Sequence, residues 1–321
     1  MYSKRLHKNK TRKKFMNNIK EIIDKYNKNK DKKNKSLKKI LYNKKVNFKP
    51  VLCNPSKKQD DYTCYTESEL IKLRDLWNEK FPDNKINKKN KKEIWLELMK
   101  KMKKSCNNEK CWVENILNMS ENNIVNKIFT PSAPKSWSYN KNEWLSNYDL
   151  LDVMNQYVLK CKDFAFIGPV PIDFDSVLYD NECVSVELCK FEINKYINDG
   201  KKKIAIIFNT DPHNKGGSHW ISLYIDIKKK YIFFFDSTGN EIPDEIKVFT
   251  DRIISQSKKI GINMKYISNV NVSHQTGNTE CGMYSLFFII NLLNENVKPD
   301  FFIKGRIKDS DVEKFRKIYF N

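Results

Sequence analysis

One segment of this lysine- and asparagine-rich chain has no soluble way to sit at the surface: Met283-Tyr-Ser-Leu-Phe-Phe-Ile-Ile-Asn-Leu-Leu293. It carries no charge, and a helix that is apolar all round must be covered on every side. It is too short and too interrupted to cross a bilayer. The spacing therefore predicts a buried helix over 281–295, packed against a sheet in a layered α+β domain.

The rest of the C-terminal half supplies that cover. A helix is predicted over 147–160, with Leu150, Leu151, Met154, Tyr157 and Val158 on one side. Strands are predicted over 164–167, 203–209, 218–227, 231–236 and 263–270, and helices over 185–197 and 244–258. Within 218–227, Trp220, Ser222, Tyr224 and Asp226 alternate with Ile221, Leu223, Ile225 and Ile227. That alternation predicts a strand with one wetter face.

Composition changes sharply towards the N-terminus. The formal charge is +21, yet residues 1–50 hold 19 Lys/Arg against 3 Asp/Glu and so carry +16 of it. Residues 1–48 read as a basic, low-complexity arm. It could hold a short helix (Phe15, Ile19, Ile22, Ile23, Tyr26), and the expectation is a solvated, largely disordered segment. The functional alternative is an arm for DNA, RNA or another anionic surface.

Residues 49–128 read as a small helical accessory domain. Thr66-Glu-Ser-Glu69 is a capping box ahead of Leu70, Leu73, Trp77 and Phe81. Pro82-Asp83-Asn84 ends that helix. A second helix carries Ile94, Trp95, Leu98 and Met102, and a third is predicted over 112–119. Residues 129–136, around Thr130-Pro-Ser-Ala-Pro134, read as a linker, and 137–321 as the α+β domain.

The eight cysteines form no dense framework, and the N-terminus lacks the apolar region of a secretory signal. The expectation is free thiols in a reducing compartment. Cys53, Cys64, Cys106 and Cys111 share the helical region. The Cys-x4-Cys spacing of the second pair admits zinc, while the ten residues inside the first are too many for a tight knuckle. Buried thiols in a helical core are the plainer reading.

The chemistry gathers around the apolar helix. Cys281 stands at its mouth, where the helix dipole and free backbone N–H groups favour a thiolate. Gly282 leaves room for a substrate to approach the backbone. His219, one of four histidines, follows Gly216-Gly-Ser and precedes Trp220. Asp236 ends the run Tyr231–Phe235, where its carboxylate can accept from a histidine Nδ1–H and fix the tautomer. Gln275 is an amide six residues before the cysteine, able with the Cys281 N–H to donate to an oxyanion. Singly, each has a bland reading: a buried thiol, a strand-edge histidine, a turn aspartate, a loop glutamine. Their order, spacing and flanks are the specific signal.

That pattern resembles the adenovirus-protease and SUMO-protease clan of cysteine peptidases. The matching pieces are Gly-Gly-x-His-Trp, an apolar strand ending Phe-Asp-Ser seventeen residues after the histidine, and Gln-x5-Cys-Gly before an apolar helix. Glu143-Trp144-Leu145 resembles the clan's Trp-Leu motif, although Ser146-Asn147-Tyr148 displaces the acidic residue usual after it. The resemblance covers about 137–321 and looks nearest to the processing proteases of large cytoplasmic DNA viruses.

The resemblance implies a papain-like core of the SUMO-protease type. Cys281 would be nucleophile, His219 base and then acid, Asp236 its orienter and Gln275 the oxyanion donor. Trp144 and Trp220 would flank a channel too narrow for a Cβ, selecting Gly-Gly by exclusion. The implied substrates are viral structural polyproteins, cut during particle maturation in the host cytoplasm or virion, without metal or organic cofactor. The alternatives are a deconjugating protease for a ubiquitin-like protein, a bacterial-effector-type acetyltransferase, and a non-enzymatic basic core or DNA-binding protein.

Overall fold

The structure is a computed structural model that describes residues 2–41, 48–57, 62–117, 122–178 and 181–321; at 2–16, 40, 41, 117 and 122–124 the description is of backbone alone. It divides into two compact units, residues 1–23 with 133–317 and residues 24–132 with 318–321.

Helix α1 (Tyr2–Leu41) belongs in part to each unit. The remaining helices of the second unit are α2 (Glu67–Lys80), α3 (Lys91–Met102), α4 (Glu109–Leu117) and α5 (Asn122–Ile128). The Thr66/Glu69 capping box forms in full at the start of α2. Pro82–Asn84 is a single 3-10 turn, as a proline after a helix end favours. Trp95, Trp112, Phe129, Leu98 and Ile94 build the core of this unit. The third helix starts earlier than expected, at Glu109, and residues 118 and 119 of that expectation lie outside the described ones.

The basic arm departs from expectation. Instead of a short helix in a disordered segment, residues 2–41 are one helix, and Leu37 is buried in the core of the second unit. Lys33 is drawn in beside it. Its Nζ donates to the Val51 carbonyl at 3.0 Å and lies 3.8 Å from Glu109 Oε2. Glu109 in turn accepts from the Cys64 N–H and the Trp95 indole. Burial lowers the Lys33 ammonium's pKa, with Glu109 opposing that shift. Among the described side chains of the arm, Ile19, Ile22 and Leu37 are thus buried, with Lys33 half-buried beside Leu37. The expected end of the arm, 42–47, lies outside the described residues.

Six of the eight cysteines are disulfide-bonded, against the expectation of free thiols: Cys53–Cys64, Cys106–Cys111 and Cys183–Cys189. Their Cα atoms are 5.2, 5.6 and 6.3 Å apart, a separation a bridge can span. Cys161 and Cys281 are free. Among the described residues no group of three or more His, Cys, Asp or Glu side chains could hold a metal ion. No described helix is long and apolar enough to cross a membrane.

The first unit is the α+β layer. After α6 (Asn147–Lys160) come β1 (Phe164–Pro171), the short helices α7 (Val186–Cys189) and α8 (Ile193–Asn198), then β2 (Lys203–Asn209), β3 (Trp220–Asp226) and β4 (Tyr231–Phe235). Helix α9 (Asp244–Lys259), strand β5 (Lys265–Ser268) and helix α10 (Cys281–Leu293) follow. The strands lie in the order β1-β2-β3-β4-β5. The outer pairs are parallel, and β2–β3 and β3–β4 are antiparallel. The single helix expected over 185–197 is two, interrupted at 190–192.

Both faces of the sheet are covered. Ile221, Leu223, Ile225 and Phe234 pack with Ile246, Phe249 and Ile253 of α9. On the other face, Phe288 of α10 meets Phe233, Phe235 and Tyr224 at ring separations of 4.9, 4.5 and 6.3 Å. Every residue of β3 is buried, so the predicted wetter face does not exist. Its Ser222, Tyr224 and Asp226 lie beneath the apolar helix that the sequence predicted.

Candidate active site

The hairpin β3–β4 sets the first half of the site. Ser222 pairs with Phe235, so the strand that His219 enters and the strand that Asp236 leaves share one end of the sheet. There His219 Nε2 lies 2.7 Å from Asp236 Oδ1. The expected contact is on Nδ1; the structure places it on Nε2. His219 also hydrogen-bonds Cys281 at the first residue of α10.

The carboxylate is well held. Asp236 Oδ1 accepts from the Thr238 N–H at 2.8 Å and the Thr238 hydroxyl at 2.7 Å. Its backbone is fixed by Asn269, which accepts from the Asp236 N–H and donates to the Asp236 carbonyl. Burial opposes ionisation of both partners. For His219, the hydrogen bonds and charges of Asp236 and Cys281 outweigh burial and push the imidazole up to about 9. For Asp236, His219 and Thr238 outweigh burial and hold the carboxyl below its usual range.

Gln275 is buried and locked at both ends of its amide. Its Oε1 accepts from the Ser237 hydroxyl at 2.7 Å and its Nε2 donates to the Gly277 carbonyl at 2.8 Å. The His274 and Gln275 N–H groups both donate to the Ser237 carbonyl. One Nε2 hydrogen of Gln275 remains for a further acceptor.

Trp220 is buried and its indole donates to the Leu145 carbonyl at 3.0 Å. It thereby fastens the segment carrying Trp144, whose side chain is 38% exposed. Trp144 and Leu145 precede α6; Ser146 caps that helix and Asp149 completes a second capping box. Gly282 has a different purpose from the one expected. A Cβ there would sit 3.0 Å from Leu145 Cβ and 3.3 Å from Trp220 Cδ1, so its missing side chain admits protein neighbours.

Sequence reasoning missed several supports. Glu280, just before the cysteine, forms a buried two-pronged ion pair with Arg316, at 2.9 Å to Oε1 and 3.2 Å to Oε2. The Arg316 guanidinium lies over the Trp137 ring at 4.5 Å. Burial raises the Glu280 pKa against the opposing pull of Arg316. His274 is fully buried, its Nδ1 accepting from the Ile307 N–H and its Nε2 facing the Phe302 carbonyl. No local motif announces these partners, because each pair joins residues distant in sequence: Glu280 and Arg316 are 36 positions apart, His274 and Ile307 33, and Trp137 is farther still from Arg316.

A thiol at a helix N-terminus, a charged imidazole and a buried carboxylate in hydrogen-bonded sequence are the parts of nucleophilic acyl transfer. The model of the Ulp1 protease family, C-terminal catalytic domain, matches residues 183–321. Residues 183–321 are thus similar to the catalytic domain of that family of cysteine proteases. Viral proteases are among the relatives. A thiol protease of Acanthamoeba polyphaga mimivirus is 26% identical over 293 residues, covering 84% of this chain and 93% of that one. A SUMO-1 cysteine protease of African swine fever virus is 29% identical over 257 residues, covering 74% and 91%. A crystal structure of the African swine fever virus protease superposes with a TM-score of 0.62 at 22% identity, covering 87% of this protease and 98% of that chain. These matches reach well beyond 137–321, so the helical region of the protease belongs to the shared fold.

Proposed function

We propose that Cys281 attacks the scissile carbonyl, that His219 takes and returns the proton, that Asp236 orients the imidazole, and that Gln275 with the Cys281 N–H holds the oxyanion. The observation that carries this reading is the run Asp236–His219–Cys281 closing at the N-terminus of α10. Here the His219 proton serves the leaving amine.

The substrate is a protein cut after Gly-Gly or a similarly small pair, and the biological target is a viral core polyprotein during particle maturation in the host cytoplasm. The support is steric. Trp220 is immobilised on the Leu145 carbonyl, so the adjoining indole of Trp144 is carried on a fixed backbone rather than a mobile loop. Two such faces exclude a Cβ. Removal of a ubiquitin-like protein is the second reading, favoured by the SUMO-1 protease description of the African swine fever virus relative. The basic stretch at the N-terminus is assigned to an anionic partner such as DNA.

The test uses peptides ending Gly-Gly or Gly-Val before the cut, with wild-type protease and Cys281→Ser. Cleavage of the first peptide alone, abolished by Cys281→Ser, is the expected result. Equal rates on the two peptides overturn the channel; wild-type turnover by Cys281→Ser overturns the nucleophile. A SUMO-conjugate panel run alongside separates the two substrate readings.

A further inference from the structure

The loop that presents Gln275 and leads into Cys281 is held from below by one carboxylate in the C-terminal segment. Asp309 Oδ2 accepts from the Thr276 N–H at 3.1 Å, the Thr276 hydroxyl at 2.7 Å and the Gly277 N–H at 2.9 Å. Its Oδ1 accepts from Tyr284 at 2.8 Å, and lies 3.3 Å from the Thr276 N–H. Tyr284 is on the first turn of α10, three residues after Cys281. A single side chain thus ties the residues flanking the Gln275 amide to the helix that carries the thiol. The Gly277 carbonyl, which receives Gln275 Nε2, belongs to the same short stretch whose N–H groups Asp309 holds. Nothing else described in this loop grips two consecutive N–H groups with one anion, and charge-assisted bonds of this kind are the stronger ones.

We propose that Asp309 is a positioning residue for the cleavage reaction: it fixes the register between the Gln275 amide and Cys281, so that both reach one reacting carbonyl. The inference rests on the assignment of Gln275 as oxyanion donor. Asp309 touches no reacting atom. Its effect passes through the 275–277 backbone and Tyr284. Losing it lets the amide drift relative to the thiol, and a misplacement of roughly 1 Å costs on the order of 10²-fold in rate. Substrate binding, which does not depend on the oxyanion, is left in place.

Kinetics of peptide cleavage by Asp309→Ala, Gln275→Ala and the double variant in the full chain decide it. Asp309→Glu, which keeps the carboxylate, serves as rescue, and Tyr284→Phe, which removes one of the bonds, as the mild variant. Alkylation of Cys281, followed by mass spectrometry, reports whether each variant still presents its thiol. The expected result is a kcat about 10²-fold down in Asp309→Ala with KM within a few-fold of wild type. Asp309→Glu should recover part of the loss. The double variant should be little worse than Gln275→Ala, since the two residues act through one oxyanion contact. Losses that multiply in the double variant overturn the proposal, as does unchanged kcat in Asp309→Ala. If Asp309→Ala no longer presents its thiol, Tyr284→Phe carries the same test: wild-type kcat in it overturns the proposal. An unchanged kcat in Gln275→Ala overturns the oxyanion assignment itself, and the proposal with it. A drop in Gln275→Ala with none in Asp309→Ala leaves that assignment standing and removes only the positioning role.

Discussion

His219 is the residue on which two opposing forces meet. Burial works against its charge, and the carboxylate and thiol on either side overcome burial, placing the imidazole near 9. The sign of the consequence follows. A histidine whose folded pKa is raised contributes stability that is complete below its ordinary value of 6.5 and is lost as pH rises through about 9. In the proposed mechanism the same deprotonation removes the acid that serves the leaving amine, so kcat/KM should fall on an alkaline limb near pH 9. Asp236→Asn removes the first of the two supports, and the limb should move to lower pH, with kcat falling as well. A pH–rate profile on a short peptide checks this; an unmoved limb in Asp236→Asn assigns it to another group. The principal residues were legible because the chain spells them in fixed order with diagnostic flanks: Gly-Gly-Ser before His219, Phe-Asp-Ser at 236, Gln-x5-Cys at 281. Asn269, Thr238 and Arg316 were not, since a side chain that serves by bonding a distant backbone or carboxylate leaves no periodic trace.

Among the elements, α1 shows best where pattern reading stops. Lysine-rich sequence with few apolar residues reads as solvated chain, yet Leu37 and Lys33 reach a core built from residues 48–129. Leu37 stands apart from the short apolar stripe at Ile19 and Ile22 and so leaves no periodicity of its own, although burying it fully is worth about 2 kcal/mol. The helices and strands around the site were legible almost to the residue at β2 and α6, where apolar spacing dominates. The misread wetter face of β3 has the opposite cause: alternation records polarity, whereas burial depends on which helix lies on top. The proposed anionic partner of the N-terminus can be tested with the buried side chains Ile19, Ile22 and Leu37 kept. Removing residues 1–16 takes away seven Lys/Arg and leaves Lys33 and Leu37 in place. Peptide hydrolysis should persist. DNA retention across a salt series should weaken, its log–log slope becoming shallower by about 0.9 for each phosphate no longer neutralised. An unchanged slope puts any DNA-binding surface elsewhere. Leu37→Ala, by contrast, should lower stability by about 2–5 kcal/mol in denaturant unfolding with the DNA slope intact.

For the molecule as a whole, acid stability hinges on a buried imidazole outside the reaction. Burial, with Arg306 adding to it, pulls His274 down to about 4 despite the hydrogen bond to the Phe302 carbonyl. A neutral histidine of this kind contributes stability that is complete above 6.5 and drains away as pH falls through about 4. The span corresponds to roughly 3 kcal/mol. Melting temperature followed from pH 7 to pH 4 should therefore drop in wild type more steeply than in His274→Gln, which starts lower but cannot take up the proton; parallel curves would clear His274 of that role. The far end of the chain has its own consequence. The Asn321 amide accepts from the Leu52 N–H at 2.6 Å and donates to the Leu52 and Thr130 carbonyls, while its backbone N–H donates to Pro131. The helical unit is therefore stitched by a residue that leaves the ribosome some 190 positions after Thr130. On a translating ribosome its helices emerge first, but that seam closes only after the sheet, α10 and the segment carrying Asp309 have all been synthesised. A product released early would lack that seam and leave the Leu52 N–H without its Asn321 acceptor, while Thr130 and Lys110 still bond the Leu52 and Thr130 carbonyls.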